Sequence, residues 1–362
     1  RSGEPGADDA TILIRGKGTL GNTSPLIVVD GIADRSFSRL NSEDVESISV
    51  LKDASAAIYG ARAANGVILV TTKRGKEGKV KLNYSGNVSF SQPTRVPKML
   101  NAYQYATYVN EFDAAQGNSL TYPETALTKI KDGSDPINYP DTNWWNAVAK
   151  DWATNTEHSL AISGGNEKIS FYSSAQYMYQ DVIYKNSPQN YNQYQFSTNL
   201  DAKITKAIKF GFDILGRQTV DNRGVRTTED LFSYFLTTSP MSAPYYPNGL
   251  LRTGYDGITN NAVLMVSDLP GTSKTTNNTL NLKPKIRIDL DVITPGLYAE
   301  GYAALDYTFN NGKTTNTPYD IYSYDSVSGE YTNQRDATGS VSVSSWSSNS
   351  SSITLNVRIG YS

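Results

Sequence analysis

From Val80 to Ser91 the chain alternates without a break. Val80, Leu82, Tyr84, Gly86, Val88 and Phe90 fall on one side, and Lys81, Asn83, Ser85, Asn87, Ser89 and Ser91 on the other. A period of two with one apolar face is the pattern of a strand that hides one side only. The stripe returns over Tyr194–Ile204, Ile208–Ile214, Leu280–Val292, Leu297–Phe309 and Ile353–Tyr361, and more weakly over Thr156–Ser163 and Ile169–Gln180. Eight strands are therefore expected after a polar hinge at residues 75–79. Their connections alternate in length. Residues 164–168, 205–207 and 294–296 are short turns, whereas 92–155, 181–190, 221–274 and 310–352 are long. A soluble sandwich or lectin-like barrel has no cause to sort its loops by side. A membrane-spanning barrel does, with short turns at one face and long loops at the other.

Composition agrees with that reading. No run of 18 apolar residues exists, so no transmembrane helix is expected. The mean hydropathy of −0.45 does not count against a barrel, because alternating strands average to a polar composition. Tyr outnumbers Phe by 25 to 10, as suits rings that sit at a membrane–water boundary. Cys is absent, which removes thiol catalysis, disulfides and Cys-ligated metal. A formal charge of −2 argues against nucleic acid as a partner. No signal peptide opens the chain.

Upstream of the hinge the pattern is different. Leu26–Val29, Ser47–Leu51 and Val67–Thr72 are short, nearly continuous Val/Ile/Leu runs bounded by Asp30-Gly31 and Asn65-Gly66. Such runs predict strands covered on both faces. Ser42–Val45 predicts a brief helical turn. A second is expected from Asp53, as N-cap, to a stop at Gly60. Thr11–Arg15 is a further strand candidate. Gly16-Lys17-Gly18-Thr19-Leu20-Gly21 has the glycine spacing of a dinucleotide loop, but Asn22-Thr23-Ser24-Pro25 and a strand follow where a helix is required. A loop between strands fits better.

Residues 24–75 resemble the plug domain of TonB-dependent outer-membrane transporters, and more narrowly the SusC/RagA family. The resemblance rests on Ile14-Arg15-Gly16, on Pro25 to Gly31, on Asp44-Val45-Glu46-Ser47-Ile48, on Val50 to Gly60 and on Arg62 to Lys73. It implies a small α+β plug at 1–75 and the opening strands of a transmembrane β-barrel at 76–362, about eight of an expected 22. It implies the bacterial outer membrane, no enzymatic activity, no cofactor and no metal. It also implies a mechanism: a SusD-like surface lipoprotein delivers an oligosaccharide or a peptide, and TonB, with ExbB and ExbD, pulls on the plug from the periplasm. The family's TonB-binding segment and first plug residues would precede Arg1. Fourteen further strands, at roughly 35 residues each, would add roughly 500 residues. The final strand, Ile353–Tyr361, should then keep an open edge or pair with another chain rather than with Val80–Ser91. A non-transporting receptor or adhesin on the same scaffold, or a soluble glycan-binding β protein, is the alternative.

Candidate ligand-binding residues are Asn22 and Thr23, in a plug loop of the kind that touches substrate in the family, with Trp144, Trp145, Tyr245 and Tyr246 in two long loops. The Trp pair could stack on sugar rings, though packing of the loop on itself is the commoner role. The helical stretch Leu100–Ala115 opens the first long loop, and Gly339–Ser352, rich in Ser, is expected to be mobile. The single His158 has no nucleophile elbow to serve. Asp289 and Asp291 alternate with Lys and Arg and suit a solvated wall. Asp8-Asp9 is the other carboxylate pair.

Overall fold

Two sheets account for most of the chain, and each follows its own hydrophobic rule. The computed structural model describes residues 4–7, 12–14, 16, 23–33, 35, 37, 39–96, 98–225, 234–235, 237–254, 261–335 and 337–361. The Asp8-Asp9 pair, Asn22 and most of the 16–21 glycine loop lie outside the described residues. The element that follows that loop is a strand, which the dinucleotide reading does not allow.

The first sheet has four strands in the order β2-β1-β4-β3. They are β1 (Leu26–Val29), β2 (Ile32–Ala33), β3 (Val45–Leu51) and β4 (Val67–Thr72). β1 runs parallel to β4, with Leu26 beside Val67 and Val29 beside Val70. Both are central, and both bury side chains on two faces. Leu26, Val28 and Val67 pack with Ala56 and Ala63 on one side, while Val29, Ile68 and Val70 pack with Ile12, Ile14 and Leu40 on the other. The expectation of two covered faces fails for β3. It pairs with β4 alone, lies at the sheet edge and leaves Ile48 and Val50 exposed. Ile12 and Ile14 add to the core without joining a strand.

Short 3-10 turns sit where sequence placed helix: Ser42–Asp44, and Asp53–Ala63. Lys52, not Asp53, holds the N-cap position of the second. Gly60 does interrupt it, at φ 69, but the helical turn resumes to Ala63. Gly66 takes φ 90 as the chain turns into β4.

The second sheet is a wall of eight antiparallel strands in the order β14-β11-β10-β9-β8-β7-β6-β5. These are β5 (Gly78–Ser91), β6 (Ala153–Gly165), β7 (Ile169–Asp181), β8 (Asn190–Lys203), β9 (Ile208–Gly224), β10 (Gly271–Asp289), β11 (Leu297–Asn316) and β14 (Ser342–Tyr361). β14 pairs with β11 and not with β5, so both ends of the wall are open, as expected. The alternation sets the faces. Tyr194, Phe196, Ile286, Leu355 and Val357 are exposed on the outer face, while Gln193, Gln195, Ser197, Asn199, Asp213 and Lys283 are buried on the inner one.

Several strands outrun their apolar stripes. β9 extends to Gly224, and the Ser-rich segment expected to be mobile is the first half of β14, paired through Trp346 and Ser350 with β11. The reason is length. Twenty residues at ~3.3 Å each reach roughly 66 Å, or about 50 Å after a barrel's tilt. In the expected barrel only ~30 Å of that would cross hydrocarbon. Beyond it the outer face meets water, and Ser or Thr serves as well as Leu. At the other end β10 stops at Asp289, so Val292, counted in the stripe, falls in the turn and is 93% exposed.

The long connections carry their own structure. The first holds α1 (Ala102–Ala115), α2 (Glu124–Asp132) and α3 (Trp144–Val148). Asn101 caps α1 by accepting from the Gln104 amide. α4 (Ala262–Val266) lies in the third, and the hairpin of β12 (Ile321–Tyr324) with β13 (Tyr331–Arg335) in the last. No described helix is long and apolar enough to cross a membrane.

Candidate functional site: the seam between sheet and wall

The small sheet rests on the inner face of the wall, and the contact is polar almost throughout. At one end Gly6 donates its amide to Gln180 of β7. Arg39 reaches Tyr191 of β8, by a hydrogen bond and by lying over the ring. Asn41 donates to Ser159 of β6 at 2.9 Å. Asp44 accepts from the Tyr172 and Ser174 hydroxyls of β7 at 2.9 and 2.8 Å. Burial pushes the Asp44 carboxyl above its ordinary range, and those two bonds offset part of the rise. Arg35 binds Asp306 of β11 at 2.6 Å.

The densest contacts surround the exit of β4. Asp30 adopts φ 48, and its carboxylate accepts from the Thr72 amide and hydroxyl. Its carbonyl accepts from Lys283 of β10. Lys283 also lies over Tyr302 at 4.5 Å. The Lys73 carbonyl accepts from Asn199 of β8. Arg74 donates to both carboxylate oxygens of Asp213 in β9, at 2.9 and 3.0 Å. Burial opposes the Arg74 charge, but Asp213, Asp30 and Asp201 more than restore it, so its proton is held more tightly than in water. Lys285 completes the group, 2.8 Å from Asp201 and 3.6 Å from Asp213. Gly75 follows, where an added Cβ would lie 2.2 Å from the Phe171 backbone nitrogen. The chain passes the wall there with no room for a side chain.

Among the described residues no hydrophobic cluster spans the seam. Two clusters belong to the small sheet and three to the loops. Hydrogen bonds of this kind exchange with water at a net cost of about 0.5–1.5 kcal/mol each, or about 1.5–3 kcal/mol where one partner is charged. Chemistry of another kind is not evident: among the described residues no group of three or more His, Asp or Glu side chains converges as a metal site would need. Asp289, expected on a solvated wall, is held by Lys209 and Arg287. His158 bonds to the Tyr84 hydroxyl on the outer face at 2.8 Å.

The candidate ligand residues are dispersed. Thr23 is half-buried ahead of β1. Trp144 is 4% exposed, donates to the Ser239 carbonyl, and packs on Tyr234 and Val182. Trp145 stands edge-on to Phe235. Tyr246 is buried beneath Arg252 and meets Tyr324 and Tyr331 of the β12–β13 hairpin. Tyr245 is exposed. The two loops touch where the Thr142 amide donates to the Pro240 carbonyl. Sequence did not single out Arg35, Asp44, Arg74, Asp213 or Lys283. For Asp213 and Lys283 the one trace was a charge at an inward position of an apolar-striped strand, and no such trace marked Arg35, Asp44 or Arg74.

A small mixed sheet seated on the inner face of an antiparallel β wall, through a polar seam, is the arrangement of a plugged outer-membrane barrel. Residues 1–67 match the family described as TonB-dependent Receptor Plug Domain. The chain is 36% identical over 220 residues to TonB-dependent receptor P26 of Formosa agariphila, covering 59% of this chain and 21% of that one. It is 34% identical over 210 residues to TonB-dependent receptor SusC of Bacteroides thetaiotaomicron, covering 55% and 19%. The solved RagAB peptide transporter superposes with a TM-score of 0.68 at 23% identity, over 85% of this chain and 37% of that one, a likeness of fold. The plug-domain match, the SusC-like relatives and the RagAB-like fold make the chain similar to part of a SusC/RagA-like TonB-dependent receptor of the bacterial outer membrane. It spans about a fifth of the length of the curated relatives it matches.

Proposed function

We propose that the chain supplies the plug, residues 1–75, and the first part of the barrel, residues 76–362, of an importer. That importer takes up oligomeric nutrients by TonB-dependent, energy-coupled transport. The observation that supports it most directly is the seam. A plug fixed for good would be held by an apolar core, whereas this one is held by hydrogen bonds and ion pairs that water can replace. A pull from the periplasm, supplied by TonB with ExbB and ExbD, would have something to release. The crown of α1–α3 and the β12–β13 hairpin gives a SusD-like lipoprotein a surface to dock on. Thr23 of the plug and Trp145 and Tyr245 of the long loops are the described side chains proposed to meet an oligosaccharide or peptide, with Asn22 next to Thr23 in sequence; Tyr246 is buried and packs the crown. Trp144, wholly enclosed, acts by holding the crown together. The reaction is translocation, not catalysis.

The test is uptake by cells carrying the full-length receptor, with labelled oligosaccharides and labelled peptides offered in parallel. Accumulation of one class that stops when TonB is deleted supports the proposal. Surface binding that persists without TonB, with no accumulation, would replace it with a receptor or adhesin.

A further inference from the structure

Two cavities lie along the seam, of about 520 Å³ and about 660 Å³. Both are bounded by the plug on one side and by the inner faces of β8 to β11 and β14 on the other. They meet at one level. On β14 Thr354 lines the cavity nearer the long loops, and Asn356, the next inward residue, lines the one nearer the short turns. On β8 the same change falls between Asn199 and Asp201, and on β10 between Asn281 and Lys283. What stands at that level is the cluster around the exit of β4. The Lys283 ammonium is bonded to the Asp30 carbonyl, 3.9 Å from where a Cβ on Gly31 would be. Arg74 is clamped on Asp213 beside it.

We propose that this seam is a polar conduit for water and small hydrophilic solutes, closed at a single level by Lys283, Asp30, Arg74 and Asp213 acting as a gate. Three features support it. Polar side chains line the seam at each level where the cavities meet, so water can fill it. The barrier is the Lys283, Arg74 and Asp213 side chains set against the Asp30-Gly31 turn, not packed sheet. Asp30 and Gly31, at φ 48 and φ 80, form the tight two-residue turn between β1 and β2, which fixes the Asp30 carbonyl toward Lys283 as the plug half of the gate. Bonds to Thr72 and Val70 hold that turn on the plug, so the Lys283 side chain is the part that can swing away.

The inference rests on the chain being the plug and wall of a barrel, but not on TonB or substrate, so it can fail or stand separately from import. These 362 residues hold no Cys, and any Cys elsewhere in the full-length receptor is first replaced by Ser so that each introduced thiol is unique. Thr354→Cys and Asn356→Cys are made separately in the full-length receptor, in lipid vesicles, and a charged, membrane-impermeant methanethiosulfonate is added from the long-loop side. With Lys283 in place, Thr354→Cys should react at least tenfold faster than Asn356→Cys. Adding Lys283→Ala should bring Asn356→Cys to a comparable rate and raise ionic conductance several-fold in planar bilayers. Equal rates with the gate intact overturn the proposal, and that comparison stands even if Lys283→Ala does not assemble. A disulfide formed between Asn41→Cys and Ser159→Cys pins the plug to β6. Conductance that survives pinning marks a local gate, and conductance abolished by it would mean the whole plug must leave.

Discussion

Arg74→Ala should loosen the plug more than the loss of any other single seam residue. Arg74 makes two charge-assisted bonds to Asp213, a residue only 8% exposed. Removing one partner of a buried pair costs ~3–5 kcal/mol when the other is left alone. Two circumstances reduce that here. The Arg74 side chain is 28% exposed, and Lys285 remains 3.6 Å from Asp213. A loss of ~2–3 kcal/mol is therefore expected, which is roughly a 30- to 160-fold shift toward the released plug. The measurement is hydrogen exchange of the β4 amides in the full-length receptor, as a double-mutant cycle. Arg74→Met with Asp213→Leu removes both charges and should recover most of the loss, because the cost lies in the orphaned carboxylate. If the double variant is as loose as the sum of the singles, the two residues are not coupled and the reasoning is refuted. Equal looseness in Arg35→Ala would also refute it, since Arg35 uses one oxygen of Asp306 where Arg74 uses two of Asp213.

Three further outcomes follow from the same structure. Ile286→Arg places a charge on the outer face and should cost ~2–4 kcal/mol near mid-membrane, whereas Arg287→Ile changes the inner face; folding into lipid vesicles should fail for the first only, and equal assembly would break the register. Gly66→Val should destabilise the plug by ~1–3 kcal/mol, because φ is 90 and the new Cβ would lie 2.7 Å from Ile14; unchanged protease resistance of the plug would contradict this. Asp44 has its folded pKa raised by burial, so its contribution to docking is fullest below the unfolded value of ~3.9 and is lost as pH rises through the folded one. Asp44→Asn should remove that component, and titration curves of wild type and variant that run parallel would show that Asp44 does not titrate on docking.

Periodicity made the wall legible because one face of each strand meets an apolar medium, so Val80–Ser91 announces itself within twelve residues. The plug strands β1 and β4 were legible for a related reason, since both of their faces are covered. β3 misled because its composition matches theirs, and only its place at the edge sets it apart. The seam was illegible. Arg74 and Asp213 are 139 residues apart, and Asp44 and Tyr172 are 128 apart. An inward Asp on a barrel strand looks the same whether it faces water or a plug. Trp144 posed the opposite problem. A Trp beside another Trp suits a sugar platform and a packed loop alike, and the choice depended on Tyr234, ninety residues on.

The order of strands in the wall carries a consequence for how such a molecule is put together. From β5 to β11 each strand lies beside the one before it in sequence, so the wall can be laid down hairpin by hairpin, always at the same advancing edge. Every strand from β6 to β11 bonds to the plug as it arrives: Ser159, then Tyr172, Asn199, Asp213, Lys283 and Asp306 in turn. The plug is tied to β5 by only the few residues after Thr72, and those pass through the gap at Gly75. Contacts spread in this order would let the plug act as a template for the wall and not only as a cork in a finished ring. Defects in the seam should appear first as failures of biogenesis, before any cargo is offered.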